Sequence, residues 1–234
     1  MVGCQKSFIM KTKILITLVI LISLNLSAQK YIKSQFTLFD YTYEIDAKVK
    51  AELTSVESYI TFKPEGKQNK VEGMLVNSLY DMIVKTMEDS LKIFMLPPNS
   101  LTNKVKYDEY GYPSVSIQRA LKLVDTKYFL KIKAFIGNDI VDNNGNKLPE
   151  GEFKPKIKIN LYVYDKYGYI PIHESEASAS AIKSIIVTPK FIAGLSFVDS
   201  SLVKDSNEET LADIFNSAIL EAVNQLQHKK NKKF

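Results

Sequence analysis

Tyr128-Phe-Leu-Lys-Ile-Lys-Ala-Phe-Ile136 alternates between two sets of side chains, and Lys156-Ile-Lys-Ile-Asn-Leu-Tyr-Val-Tyr164 repeats that alternation. Successive side chains of a β-strand point to opposite faces, so a period of two predicts strands with one buried face. Asp165-Lys-Tyr-Gly168 has the composition of a hairpin turn, and a further strand is predicted from Tyr169 to about Ala181. These segments therefore predict a β-sheet that contains a hairpin.

Apolar residues recur at three- and four-residue steps in three other segments, which predicts helices at 71–88, 114–124 and 206–228. The last of these begins with Ser206-Asn-Glu-Glu209, which has the spacing of a capping box. The run Leu91–Leu96 and the short segment 59–62 are predicted to be strands, whereas 47–53 is ambiguous. The fold class that follows is α+β, a mixed, mostly antiparallel sheet of about five strands with three helices packed on one face.

The beginning of the chain has the layout of a secretory signal peptide. Met10-Lys-Thr-Lys13 precedes the apolar run Ile14–Ile22, and small and polar residues follow it. We therefore expect a signal peptide over 1–28, with the true start at Met10, and no membrane span in the mature chain. The remainder divides into an N-terminal arm or strand (29–56), a single α/β domain (57–228) and a basic tail (229–234).

Export and charge narrow the classes of partner. The expected location is periplasmic, outer-envelope-associated or extracellular. The formal net charge is +5, but Lys6, Lys11 and Lys13 belong to the predicted leader, so the mature chain is nearly balanced. This balance gives no case for nucleic acid as a partner. The single cysteine, Cys4, also belongs to the leader, which leaves no thiol for catalysis, metal binding or a disulfide.

The motifs that could carry chemistry are incomplete. Ser180-Ala-Ile-Lys183 and Ser201-Leu-Val-Lys204 match S-x-x-K, but the partner motifs of that chemistry are absent. The segment 142–153 has Lys147 and Phe153 where a calcium loop needs Gly and Glu. His173 has no second histidine at metal-binding spacing. We therefore predict no catalytic residue, metal or cofactor, and a hydrolase using unrecognised carboxylates is the third alternative.

Two surfaces are candidate binding sites. The first is a sheet face opposite the core, where lysines and aromatic rings would attract and stack an acidic glycan or lipid. Its residues are Lys131, Lys133, Lys156, Lys158, Tyr162 and Tyr164. The alternative is a solvated face, partly neutralised by Glu174 and Glu176.

The second surface is the apolar segment 182–203, which contains Phe191, Leu195 and Phe197. Because Pro189 and Gly194 interrupt it, a helix is not expected. The segment either packs on the core as a further strand or is an exposed docking segment.

The order of elements, the Asp125-Thr-Lys-Tyr128 strand entry and the Tyr162-Val-Tyr-Asp-Lys-Tyr-Gly168 hairpin resemble envelope α/β domains of the TolB N-terminal, LpoB and CsgG type. The resemblance covers roughly 57–228, and the lipid-anchor cysteine of LpoB and CsgG is absent. It implies a non-catalytic module of the cell envelope that binds partner proteins. The sequence thus predicts an exported protein-interaction or assembly module, with acidic glycan or lipid binding as the alternative.

Overall fold

The computed structural model describes residues 30–55, 71–101, 105–139, 141, 144–149, 152–184, 189–196, 198 and 208–228. The predicted signal peptide, the predicted strand at 59–62 and the basic tail lie outside the described residues.

Five strands and four α-helices are found within these ranges. The strands are β1 (Gln35–Ile45), β2 (Phe94–Met95), β3 (Tyr128–Asn138), β4 (Pro155–Asp165) and β5 (His173–Ser180). The helices are α1 (Ala47–Ser55), α2 (Val71–Leu91), α3 (Ile117–Leu123) and α4 (Leu211–His228). Short 3-10 turns occur at Pro98–Leu101 and Pro189–Ile192.

The described strands form one sheet in the order β2-β1-β3-β4-β5. β1 runs parallel to both of its neighbours, whereas β3, β4 and β5 are mutually antiparallel. The predicted mixed sheet of five strands is confirmed for this part of the chain. Antiparallel pairing dominates where the period of two is strongest, and the parallel pairs arise because helices separate β1 from β2 and β2 from β3.

One face of the sheet carries the main core. The apolar positions of the alternation, such as Ile132 and Leu161, are fully buried under α2 and α4. Helix α1 joins the same core through Val49 and Leu53. Two of the three helices expected on this face, α2 and α4, are therefore found there, and the third helix is α1, from the segment that the sequence left ambiguous.

Helix α3 lies on the opposite face, which corrects its expected position among the helices of the main core. It forms a second apolar cluster with Phe39, Leu101 and Phe129. A register shift between Leu38 and Asp40 interrupts the alternation of β1, and the ring of Phe39 meets that of Tyr164 at 5.3 Å. Without α3 these large rings would be exposed to water on that face, and the helix packs against them.

The segment around Pro189–Ile192 packs on the core. Phe191 and Leu195 are 3% and 2% exposed, and the ring of Phe191 contacts that of Phe153 edge-on. Gly194 has φ +85°, which is unfavourable for other residues and lets the chain turn. This burial corrects the predicted docking role of Phe191 and Leu195, because buried side chains are not available to a partner. Phe197 lies outside the described residues.

Helix α4 contacts the outer edge of β5 through the side chain of Gln225. The side-chain amide of Gln225 on α4 accepts from the Glu176 nitrogen at 3.2 Å and donates to the Glu176 oxygen at 2.9 Å. This pair of hydrogen bonds satisfies backbone groups on the outer edge of β5, which limits pairing with another strand.

Among the described helices, none has the length and apolar character required to cross a bilayer.

Candidate functional site

The structure brings the predicted sheet-face residues together. β3 and β4 are neighbours, so Lys131 lies opposite Tyr162 and Lys133 lies opposite Asn160. Lys158 is in the same row as Phe135, and Lys156 lies at the end of the ladder opposite Gly137. Tyr164 is at the other end, under the α3 cluster.

Carboxylates compensate most of the positive charge on this face. The Nζ atoms of three lysines lie 2.5, 2.5 and 2.7 Å from a carboxylate oxygen: Lys131 with Asp40, Lys156 with Asp139, and Lys158 with Glu176. The fourth, Lys133, places its Nζ 5.8 Å from the centre of the Tyr162 ring. The face is therefore a charge-balanced polar surface rather than a free cationic array.

Asp139 also explains the environment of Ser180, the S-x-x-K serine that the structure describes. The Ser180 hydroxyl donates to Asp139 at 2.9 Å. Burial opposes ionisation of Asp139, but the hydrogen bonds from Lys156 and Ser180 outweigh it, so the pKa of this carboxyl is lowered. Ser180 is thus engaged with a carboxylate that cannot readily take its proton. Ser201–Lys204 lies outside the described residues, as do positions 142, 143, 150 and 151 of the segment compared with a calcium loop.

His173 is buried in a polar cluster that sequence reasoning missed. Its Nδ1 is hydrogen-bonded to the Tyr31 hydroxyl, and its Nε2 lies 3.3 Å from the Lys30 Nζ. An ammonium group only donates, so Nε2 accepts and Nδ1–H donates to Tyr31. Burial, with a smaller effect of Tyr128, raises the pKa of Tyr31 far above its usual value. Within the described ranges, no group of three or more His, Cys, Asp or Glu is placed to hold a metal.

A cluster of tyrosines lies beside α2. It comprises Tyr41, Tyr43, Tyr80, Tyr110 and Tyr112, whose rings contact one another. Tyr43 donates to Asp108 at 3.0 Å and Tyr112 donates to Asn77 at 2.8 Å. Burial raises the pKa of Tyr110 to about 12, with a further contribution from Glu72. These bonds fix the 105–113 loop, and the protonated hydroxyls are not suited to act as nucleophiles.

Exposed apolar side chains gather at one end of the sheet. Met95 pairs with Phe36, Phe36 with Tyr128, and Tyr128 with Asp165, so these positions form one row across β2, β1, β3 and β4, and Phe94 lies one position beyond it. The exposed apolar residues at or just beyond that row are Ile32, Phe94, Tyr167, Tyr169 and Ile170. We call this surface, together with the lysines described next, the hairpin end. Tyr167, at the turn between β4 and β5, is 84% exposed.

Lysines surround these apolar groups. They are Lys30, Lys33, Lys92, Lys127 and Lys166. The Lys33 nitrogen donates to the Lys92 oxygen at 2.8 Å, which joins the turns that precede β1 and β2. Both residues have positive φ, 57° and 53°, a conformation uncommon outside glycine. Helix α4 ends close by, since Gln227 donates to the Ser90 oxygen at 2.9 Å.

The sequence held only a partial signal for the hairpin end. Tyr-Gly-Tyr-Ile at 167–170 is unusually apolar for a hairpin turn, and this composition is a local signal that apolar groups are exposed at the tip. Ile32, Phe94 and Lys92 give no such signal, because only the parallel pairing of β1 with β2 and β3 brings them to the same end.

No protein-family model matches the chain, and no curated protein matches it. Among solved structures, the hypothetical protein CT253 from Chlamydia trachomatis superposes with a TM-score of 0.42 and 10% identity, covering 83% of this chain and 98% of that one. The lipoprotein GNA1162 from Neisseria meningitidis gives 0.41 and 9%, covering 84% and 99%. The PelC dodecamer from Paraburkholderia phytofirmans gives 0.39 and 8%, covering 86% and 93%.

TM-scores below 0.5 do not bear on the function of this chain. The resemblance to TolB N-terminal, LpoB and CsgG domains is not tested by these structures and stays a prediction.

Proposed function

We propose that the protein is an exported, non-catalytic module of the cell envelope that works by binding at the hairpin end. The observation that carries this proposal is the concentration of exposed apolar side chains there. Tyr167, Tyr169 and Ile170 are 84%, 62% and 61% exposed on one short turn. Contiguous apolar surface that stays in water is unfavourable, and its usual explanation is a partner that covers it.

The chemical groups of the described residues favour binding over catalysis. Ser180 donates to an ionised Asp139, and His173 is held between Tyr31 and Lys30. A nucleophile needs an adjacent base that can take its proton, and neither arrangement supplies one. These contacts support a structural role for both groups.

Binding of an acidic glycan or lipid through the sheet face is the weaker candidate. An acidic ligand there would compete with Asp40, Asp139 and Glu176, which already neutralise three of the four predicted lysines. Displacing such carboxylates costs the ion pairs that they form, a modest amount of up to about 1 kcal/mol for each partly exposed pair. No contact of this face favours it over the hairpin end.

Envelope fractionation tests the proposal. We expect the wild-type protein to remain with washed envelopes of producing cells, and a Tyr167→Ser, Tyr169→Ser, Ile170→Ser variant to move to the soluble fraction. The matched control is Ile182→Ser with Leu220→Ser, which removes exposed apolar groups elsewhere and should fractionate like the wild type. A soluble wild type, or a hairpin variant that stays with the envelope, would contradict the proposal.

A further inference from the structure

We propose that His173 is a pH-sensitive contact. Its neutral imidazole holds the segment 30–34 against the sheet, and its protonation at mildly acid pH releases that segment. The contact is a property of the fold and does not depend on the proposed function. Its consequence for the hairpin end does rest on that function, because the segment carries Ile32, one of the exposed apolar residues of that surface.

The imidazole of His173 is buried, and both of its nitrogens are engaged. The residue is 6% exposed, and its ring meets that of Tyr31 edge-on with 5.6 Å between the ring centres. Nδ1–H donates to the Tyr31 hydroxyl, and Nε2 accepts from the Lys30 ammonium at 3.3 Å. The lone pair that an added proton would take is therefore already used by Lys30.

Protonation of His173 is incompatible with this arrangement. An imidazolium has no acceptor, so Nε2 would lose its hydrogen bond from Lys30 and two cations would lie 3.3 Å apart. Burial also disfavours the charged form of a histidine. The surroundings already disfavour positive charge, because burial lowers the pKa of Lys30, and the opposing effect of Asp165, itself countered by Lys127, does not reverse this shift.

The elements around His173 bring titratable groups of both signs. Asp165 would favour a positive charge at the imidazole, whereas Lys30 and Lys127 would disfavour it. Glu174, the next residue on β5, points to the opposite face of the sheet. The titratable residues on the segment, on the adjoining parts of β3, β4 and β5 and on the last two turns of α4 are Lys30, Tyr31, Lys127, Tyr128, Tyr164, Asp165, Lys166, Glu174, Glu221 and His228.

The segment 30–34 is bonded to the strand at the edge of the sheet. The Lys33 nitrogen donates to the Lys92 oxygen at 2.8 Å, and the Phe94 nitrogen donates to the Ser34 oxygen at 3.0 Å. Ile32 lies within this segment and is 42% exposed. Release of the segment would therefore loosen the side of the hairpin end that Ile32 and Phe94 form.

The direction of the pH dependence follows from proton binding. Once the segment has left, the imidazole meets water and takes up a proton below about pH 6.5, the ordinary value for histidine. The attached form stays neutral, so release binds a proton and becomes more favourable as the pH decreases. Between about pH 7.5 and about pH 5.5, this linkage raises the ratio of released to attached segment about ten-fold.

Hydrogen–deuterium exchange of the purified protein, read by mass spectrometry and corrected for the intrinsic pH dependence of exchange, tests the proposal. In the wild type, protection of the peptide that contains Lys33 and Ser34 should decrease about ten-fold between about pH 7.5 and about pH 5.5. Protection of a β4 peptide that contains Leu161 should stay constant. His173→Gln remains neutral at both pH values and should show no decrease in the segment.

Two further variants complete the test. Lys30→Gln removes the cation beside Nε2 without changing the buried ring, so the decrease should become smaller. His228→Gln removes the other histidine of the chain and should keep the wild-type decrease. Constant protection of the segment in the wild type, or an equal decrease in His173→Gln, would overturn the proposal. The exchange measurement involves no envelope, so its outcome is independent of the fractionation that tests the proposed function.

Discussion

At the scale of single residues, the most constrained polar group is the imidazole of His173. It is buried at the start of β5 and is bonded to Tyr31 and Lys30, which precede β1 in the chain. The Tyr31 ring also contacts those of Phe36 and Tyr128 edge-on. The cluster therefore joins the beginning of the described chain to the far side of the sheet and supports the base of the hairpin end.

Tyr31→Phe should destabilise the fold by about 1–3 kcal/mol, because it keeps the ring but leaves the buried His173 Nδ1–H without its acceptor. Urea denaturation measures this difference. The control is Tyr167→Phe, which removes the same hydroxyl from an exposed ring and should change stability by less than about 0.5 kcal/mol. Equal effects of the two substitutions would show that the Tyr31 bond does not stabilise the fold.

Asp139 gives a second prediction, on pH. Its folded-state pKa is lowered, so its contribution to stability is present above the unfolded value of about 3.9 and is lost as the pH falls through the folded value. Asp139→Asn should therefore cost about 1 kcal/mol near pH 7, the modest size expected of a partly exposed ion pair.

Urea denaturation over a pH series checks this sign. The difference in the free energy of unfolding between wild type and Asp139→Asn should become smaller as the pH decreases below about 4. Asp125→Asn, an exposed carboxylate, serves as the control and should change stability little. A gap that stays constant across the series would mean that ionised Asp139 contributes nothing.

At the scale of elements, helix α3 divides the sheet face opposite the main core into an apolar part, which it covers, and a polar part, which stays exposed. Phe39 and Phe129 require cover at one end, which α3 supplies with Ile117 and Ala120. The rest of the face is left to polar ladders such as Lys158 with Glu176. The helix is short, and its N-terminus is capped by the Ser116 hydroxyl, which accepts from the Arg119 nitrogen at 3.4 Å.

Phe129→Ala should destabilise the protein by about 3–5 kcal/mol, because a fully buried ring of the α3 cluster is replaced by a cavity. Phe94→Ala is the same substitution on the same sheet, but its ring is 59% exposed, so the cost should be below about 1 kcal/mol. Thermal unfolding of both variants makes the comparison. Similar melting temperatures would contradict the assignment of Phe129 to a core.

The sequence predicted those elements whose signal is local. The alternation in β3 and β4 and the apolar stripes of α2 and α4 depend on residues close in the chain, so their positions could be read directly. The side of the sheet taken by α3 could not be read, because it depends on a register shift in β1, a distant strand. Helix α1 was ambiguous since its apolar stripe is weak, and only Val49 and Leu53 are buried.

The ion pairs of the sheet face and the existence of the hairpin end could not be predicted, for a related reason. Lys131 and Lys158 could be placed on one face from their spacing, but their partners Asp40 and Glu176 come from other strands. In the same way, Phe94 and Tyr169 are 75 positions apart in sequence and share one end of the molecule only through the strand order. Local periodicity predicts which face a side chain takes, whereas charge compensation and surface clustering depend on long-range pairing.

At the scale of the whole molecule, the sheet face and the hairpin end differ in the types of side chain that they expose and in ion pairing. The sheet face is polar and charge-balanced, whereas the hairpin end combines exposed rings with Lys33, Lys92, Lys127 and Lys166, which form no salt bridge among the described residues. The central claim is therefore that the protein contacts its partner at the hairpin end and not at the sheet face.

Site-specific photocrosslinking in producing cells tests this claim. A photoreactive side chain replaces Tyr169 at the hairpin end in one variant and Ser178 on the sheet face in another, since both positions are exposed. We predict adducts with envelope components from position 169 and few or none from position 178. Adducts from position 178 without any from position 169 would contradict the claim and assign the contact surface to the sheet face.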